Sequence, residues 1–168
     1  IINLTASEAQ KVLAVTEDGA RTQFECSVSC IGASTCQVGL RDSNGMLKTL
    51  IYYLRDKNYA DNVLPKIFVS GCTSSCGTNQ IGEIGLQGTI KVIDKKPLPA
   101  YQVSLYGNDK QNNERFGDII GVLLEDVCLF FDEIASKVSE KQMTYTTWKD
   151  ECKEEFDTIL NTYIKPLR

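Results

Sequence analysis

Four stretches of the chain carry apolar residues at the three- or four-residue spacing that indicates an amphipathic helix. Thr5 and Glu8 have the spacing of a capping box, which predicts that the first and shortest helix begins there. The last helix is expected to begin after Thr146 or Thr147, either of which could serve as its N-cap. Including that last helix, the three predicted helices after the first cover residues 45–57, 116–138 and 148–164.

Short apolar or alternating runs predict the strands of a sheet. These predicted strands cover residues 67–69, 84–86, 90–93 and 101–106. In the last of them, Tyr101, Val103 and Leu105 alternate with less apolar residues, and Lys95 to Pro99 is predicted to be a surface break. Because strands and helices do not alternate regularly as β-α-β units, the sequence predicts an α+β fold with a mixed or antiparallel sheet packed against helices.

Composition narrows the classes of function. The chain has 168 residues, of which 42% are hydrophobic and 24% charged, so it can form a sizeable core. Its net charge of -4 argues against nucleic-acid binding. The sequence contains no histidine, which excludes Ser-His-Asp and Cys-His catalytic arrangements and histidine-ligated zinc sites. Chemistry therefore depends on cysteine, carboxylate or lysine, or on a cofactor that these groups hold.

The first residues, the apolar stretches and the cysteine count indicate the cellular compartment of the protein. The first residues lack the pattern of a signal peptide, and the absence of an initiator methionine suggests a piece of a longer protein. The longest apolar stretch, residues 119–131, is interrupted by Glu125 and Asp126, so no membrane span is predicted. The seven cysteines are odd in number and unevenly placed, which is not typical of a secreted disulfide framework. We therefore expect a cytoplasmic protein.

Two cysteine pairs lie in loops rich in glycine, serine and threonine. Cys30 and Cys36 enclose five residues, and Cys72 and Cys76 enclose three. Small residues let backbone amides approach thiolate sulfurs, which stabilises the negative charge of an iron–sulfur cluster. Structural zinc is usually bound by pairs with other spacings, so a zinc site is possible but less favoured. The pattern predicts a metal site with four cysteine ligands.

The remaining three cysteines are given other roles. Cys26 is interpreted as a free thiol in a strand, Cys128 as a core residue on the apolar face of a helix, and Cys152 as a half-exposed surface residue among acidic neighbours.

The sequence around both pairs resembles the sirohaem nitrite and sulfite reductases. Their iron–sulfur domain carries C-x5-C followed by G-C-x3-C-G and a [DE]-[LIV]-G-[LIV]-x-G strand. The matching segments here are SCIGASTCQVGL at 29–40 and VSGCTSSCGTNQIGEIGLQG at 69–88. The resemblance covers residues 29–106, and one departure is Thr73-Ser74, where the family commonly has Pro-Asn.

The resemblance implies a set of ligands and two cofactors. Cys30, Cys36, Cys72 and Cys76 would ligate a [4Fe-4S] cluster, and Cys76 would also bridge it to the iron of sirohaem through its thiolate. The family reduces nitrite or sulfite by six electrons, with electrons from a donor protein such as a ferredoxin or a flavoprotein.

The resemblance also implies a domain organisation. Residues 1–20 would be the tail of a preceding ferredoxin-like half-domain, residues 21–140 the cluster and sirohaem domain, and residues 141–168 a C-terminal helical extension. The family binds its anion with clustered Arg and Lys that lie mostly in the N-terminal part of the protein. We therefore expect this chain to hold the cluster half of the site, with that N-terminal part as its partner.

Three alternatives stay open. The chain could belong to a relative that reduces another oxyanion, it could be a [4Fe-4S] electron-transfer module without sirohaem, or it could be a structural domain whose four cysteines bind zinc. The sequence does not distinguish nitrite from sulfite as the substrate.

Overall fold

A mixed sheet of six strands lies at the centre of the computed structural model, which describes residues 3–16 and 19–167. The strands follow one another across the sheet in chain order, and the first three run parallel while the others are antiparallel to their neighbours. They are β1 (Val28–Ser29), β2 (Ile67–Ser70), β3 (Ile84–Ile93), β4 (Lys96–Leu105), β5 (Asp118–Leu123) and β6 (Ile164–Lys165). This architecture confirms the predicted α+β fold with a mixed sheet.

The predicted surface break at residues 95–99 is wrong, because β3 and β4 form one long hairpin. Asp94 and Lys95 form its two-residue turn. Their φ values of 50° and 64° are both positive, which lets such a turn match the twist of the two strands that it joins. Pro97 and Pro99 pair with β3, but β4 meets β5 only from Tyr101 onwards. Prolines are tolerated in this half of β4 because its outer side is a sheet edge that needs no N–H donor.

The predicted helix over 116–138 is also wrong in nearly its first half, residues 116–126. Residues 118–123 form β5, and the helix α3 (Val127–Glu140) begins only after Asp126. Ile119, Ile120 and Val122 are β-branched, which suits a strand, and pairing with β4 decides between strand and helix. Spacing alone could not show that this segment completes the sheet.

The C-terminal helix is divided in two. The helices are α4 (Tyr145–Glu151) and α5 (Lys153–Tyr163), and Cys152 separates them with φ −112° and ψ 45°. The predicted N-cap at Thr146 or Thr147 is wrong, because Thr144 fills that position and its hydroxyl accepts a hydrogen bond of 3.3 Å from the Thr147 N–H.

The two remaining helices were located correctly. The first, α1 (Ala6–Val15), begins at the predicted capping box, where the Thr5 hydroxyl accepts from Glu8 N–H and the Glu8 carboxylate accepts from Thr5 N–H. None of its described residues is buried. The second, α2 (Ser43–Lys57), covers the predicted 45–57, and its N-cap Asp42 accepts a 3.0 Å bond from Gly45 N–H.

One hydrophobic core joins the sheet to the helices. Leu50 of α2 and Phe131 of α3 pack with Leu86 and Tyr101 from the core face of the sheet. Trp148 of α4 lies in the same core, so the C-terminal helices pack with the domain that precedes them. The described parts of the predicted segment 1–20 contribute nothing to this core, and residues 1, 2, 17 and 18 of that segment lie outside the described residues.

None of the helices in the described ranges combines the length and the hydropathy that crossing a bilayer requires.

Candidate metal centre

Two loops that leave neighbouring parallel strands carry the four predicted ligands. The first cysteine loop, residues 30–42, follows β1, and the second cysteine loop, residues 71–78, follows β2. Ser29 of β1 pairs with Val69 of β2 in register, so both loops begin at the same edge of the sheet. Loops that leave the carboxyl ends of adjacent parallel strands are well placed to form a site together.

Backbone hydrogen bonds hold the two loops against each other. The Leu40 and Arg41 N–H groups both donate to the Gly71 carbonyl at 2.9 Å, and the Cys30 N–H donates to the Val69 carbonyl at 3.0 Å. In return, the Gly71 N–H donates to the Cys30 sulfur at 3.1 Å. The loops therefore form a single unit in which the sulfur of one predicted ligand, Cys30, accepts a backbone amide.

Glycine permits this close approach at two positions. Gly32 has φ of 73°, which a residue with a side chain rarely adopts. A Cβ on Gly71 would lie 2.7 Å from the Arg41 carbonyl oxygen and 3.0 Å from Gly32 Cα. Side chains at either position would force the loops apart.

All four predicted ligands line one cavity of about 110 Å³ between the loops. Cys72 is buried with 8% of its surface exposed, Cys30 and Cys36 are half-buried, and Cys76 is exposed. The cavity wall is otherwise formed by the apolar side chains of Ile31 and Val38, by glycines and by Ser74. The fold thus brings together thiols that are up to 46 residues apart in the sequence, since 76 − 30 = 46.

The Cys30 thiol has the most fully defined surroundings. Burial raises its pKa, but hydrogen bonds from the Ser43 hydroxyl and the Gly71 and Gly32 amides outweigh burial and lower the pKa below its usual value. Ser43 is fully buried; its hydroxyl oxygen lies 2.9 Å from the Cys30 carbonyl oxygen and 3.1 Å from the Cys30 sulfur, so its single proton can be donated to either of these two acceptors. These contacts favour a thiolate, the form that binds metal.

Within residues 3–16 and 19–167, no three His, Cys, Asp or Glu side chains are grouped so as to hold a single metal ion. The cysteines at the cavity are free thiols. Thiolates that ligate a four-iron cluster each bind a different iron atom, so they surround a wider space than the ligands of one ion. The four thiols, the small loop residues and the donated amides fit the chemistry of such a cluster.

The other three cysteines lie away from the cavity. Cys26 is exposed in a 3₁₀ turn, Phe24–Cys26, so its predicted placement in a strand is wrong. Cys128 is half-buried against the core on α3, and Cys152 is half-buried at the junction of α4 and α5.

Several polar residues around the site were not predicted from sequence. Ser43 directly follows the N-cap Asp42 and contacts Cys30. Gln87 contacts the second cysteine loop through Ser75. The Arg41 guanidinium lies 5.1 Å from the centre of the Tyr101 ring. The one signal in the sequence was the place of Ser43 directly after an N-cap aspartate. The contacts of Gln87 and Arg41 depend on tertiary structure, so no local pattern indicates them.

The fold defines the chain as an α+β domain of a kind found within a larger solved protein. That structure is the NirA protein of Mycobacterium tuberculosis, which the chain matches with a TM-score of 0.65 and 17% sequence identity. The match covers 88% of this chain and 30% of NirA, so the chain spans less than a third of the protein it resembles. No protein-family model matches the sequence, and no curated protein matches it. The likeness therefore shows a shared fold.

Proposed function

We propose that Cys30, Cys36, Cys72 and Cys76 bind a [4Fe-4S] cluster. The observation that carries this proposal is the cavity that all four thiols line. It is supported by the bonds that already reach the Cys30 sulfur from Gly71 and that join the two loops. Backbone amides directed at cluster sulfurs stabilise its negative charge and tune its reduction potential.

A cluster suits this site better than a single zinc ion. The spacing of the two cysteine pairs is atypical of structural zinc, and the backbone amide that reaches the Cys30 sulfur suits the negative charge of a cluster. Zinc is therefore the second candidate, and the experiment below distinguishes the two.

We further propose that sirohaem lies next to the cluster, with Cys76 as the shared ligand. Cys76 is the exposed thiol of the four, while Cys72 is buried. Val38, with 67% of its surface exposed, and Ile31 add apolar surface beside the cavity that a macrocycle could cover. When bound, the pair of cofactors would supply electron transfer and the reduction of the anion, while the chain supplies ligation and electrostatics.

The proposed whole is a nitrite or sulfite reductase of which this chain is the cluster-binding part. Arg41 is the sole Lys or Arg in segments 26–45 and 69–80, so the chain has little positive charge with which to hold an anion at the cavity. We propose that the N-terminal part of the protein supplies those groups, and that a ferredoxin or flavoprotein donates the electrons. A second candidate, a [4Fe-4S] electron-transfer module without sirohaem, needs the same four ligands.

Anaerobic reconstitution with iron and sulfide tests the proposal. We expect a broad absorption shoulder toward the violet, and its loss in each of four single Cys→Ser variants at the cavity. The matched control is Cys152→Ser, which lies at a helix junction and should retain the cluster. After addition of sirohaem and gel filtration, a strong Soret band should co-elute with the chain only if the second cofactor binds. Binding of zinc with no iron–sulfur absorption would overturn the proposal.

A further inference from the structure

A chain of hydrogen bonds crosses the sheet and ends in the second cysteine loop. The Gln102 side-chain amide donates to the Gln87 carbonyl oxygen at 3.4 Å, and the Gln87 amide donates to the Ser75 hydroxyl at 2.8 Å. Gln87 on β3 and Gln102 on β4 are direct partners in register. Since side chains alternate along a strand, both lie on the face opposite to core residues Leu86 and Tyr101.

Ser75 is one of two residues in that loop with a left-handed backbone, the other being Thr78. The φ of Ser75 is 56°, a left-handed conformation that is unfavourable for a residue with a Cβ. It lies between the two ligands Cys72 and Cys76; its N–H donates to the Cys72 carbonyl at 3.3 Å, and its own carbonyl accepts from Thr78 N–H at 2.8 Å. The backbone of Ser75 is therefore bonded to residues on both sides of Cys76, namely Cys72 before it and Thr78 after it.

Gln87 meets this loop from a rigid element. It is half-buried in the middle of a ten-residue strand that pairs along its whole length with β4. Its amide holds Ser75 from the β3 side, while the Ser75 hydroxyl donates back to the Thr73 carbonyl at 3.3 Å. In the resemblance motif Gln87 occupies the unspecified position of Glu83-Ile-Gly-Leu-Gln-Gly88, so the motif itself assigns it no role.

We propose that Gln87 is a positioning residue that fixes the second cysteine loop, and with it Cys72 and Cys76, in the conformation that receives a cluster. The effect on the cluster rests on the proposed function, whereas the effect on the loop does not need iron. Gln87 acts through Ser75, with Gln102 supporting the orientation of its amide.

The test compares Gln87→Met, which keeps the length of the side chain but removes the amide, with Ser75→Ala and the double variant. Amide hydrogen exchange of the metal-free 168-residue chain reports opening of the loop at Gly77 and Thr78, whose N–H groups donate to the Ser70 hydroxyl and the Ser75 carbonyl. Loss of one hydrogen bond should speed exchange there about fivefold, with exchange in the β3–β4 hairpin unchanged. The matched control is Gln111→Met at an exposed position.

Coupling and rescue separate positioning from general destabilisation. The double variant should exchange no faster than the faster single variant, because both changes remove the same bond. Gln87→Glu should keep exchange slow, since the Ser75 hydroxyl can turn its proton from the Thr73 carbonyl to the new carboxylate. After reconstitution, Gln87→Met should lose iron to a chelator about fivefold faster than wild type or Gln111→Met.

Any of three results would overturn the role proposed for Gln87. They are wild-type exchange rates in Gln87→Met, additive effects in the double variant, and failure of Gln87→Glu to keep exchange slow. Faster exchange in a chain that binds no cluster in any variant would overturn the proposed function while upholding the role of Gln87 in the loop. Faster exchange with unchanged iron loss would overturn its role toward the cluster.

Discussion

Replacing Ser43 with alanine tests the most closely bonded contact of the site. Ser43 is fully buried at the start of α2, with its hydroxyl bonded to the Cys30 carbonyl at 2.9 Å and 3.1 Å from the Cys30 sulfur. The change removes the donor of one carbonyl bond and leaves the half-buried acceptor without it, which costs about 1–3 kcal/mol. For a chain of this size that corresponds to a fall in Tm of roughly 2–12 °C.

The assay is urea and thermal unfolding of the metal-free chain, in which wild type and variant should share one m-value and differ in midpoint. Ser34→Ala is the control, because Ser34 lies in the same loop but is exposed, with its hydroxyl donating to the Ile31 carbonyl at 3.2 Å. It should change the free energy of unfolding by less than about 0.5 kcal/mol. Equal stability of Ser43→Ala and wild type would refute the argument that Ser43 supports the first cysteine loop.

Three further outcomes are expected. Cys128→Ala, at a half-buried position on α3, should cost about 1 kcal/mol of unfolding free energy and leave the iron content after reconstitution unchanged; loss of iron would contradict this. Burial raises the pKa of Asp132, but hydrogen bonds from Tyr59 and Lys57 outweigh burial and lower that pKa. The ionised Asp132 carboxylate therefore stabilises the fold above the unfolded-state pKa, and this stabilisation is lost as pH falls through the folded-state pKa. The stability difference between wild type and Asp132→Asn should therefore shrink below about pH 4 in acid titrations followed by circular dichroism, and a constant difference would oppose the assignment. With iron, sulfide and sirohaem supplied, the chain alone should not reduce nitrite or sulfite with a reduced viologen dye, because Arg41 is the sole base within segments 26–45 and 69–80; turnover would show that the anion site was misplaced.

The sequence was most informative where local signals and tertiary structure agree. Residues 43–57 form a helix as the spacing of Leu47, Leu50 and Leu54 predicts, and Asp42 caps it. Residues 118–123 show the opposite case, since their apolar spacing suits a helix but pairing with β4 makes a strand. At the division at Cys152, Trp148 before it and Phe156 after it both lie in the core, an arrangement that no local pattern shows.

For the candidate site, the thiols could be located from sequence but their supports could not. The spacing of the two pairs and the small residues around them indicate ligands directly. Ser43 reaches the first cysteine loop from α2 by its contact with Cys30, 13 positions away along the chain. Gln87 reaches the second cysteine loop from β3 by its contact with Ser75, 12 positions away. Polar side chains of this kind look like ordinary surface residues until the fold is known.

The Mössbauer spectrum of the chain reconstituted with iron-57 tests the central claim most directly, because it reports the state of every bound iron atom. We expect the iron of the wild-type chain to be present as a diamagnetic [4Fe-4S]²⁺ cluster, and we expect Cys72→Ser, which removes the buried ligand, to lose that signal. Iron bound only as isolated high-spin ions, or a cluster signal of equal strength in Cys72→Ser, would contradict the assignment of the four-cysteine cavity as a cluster site.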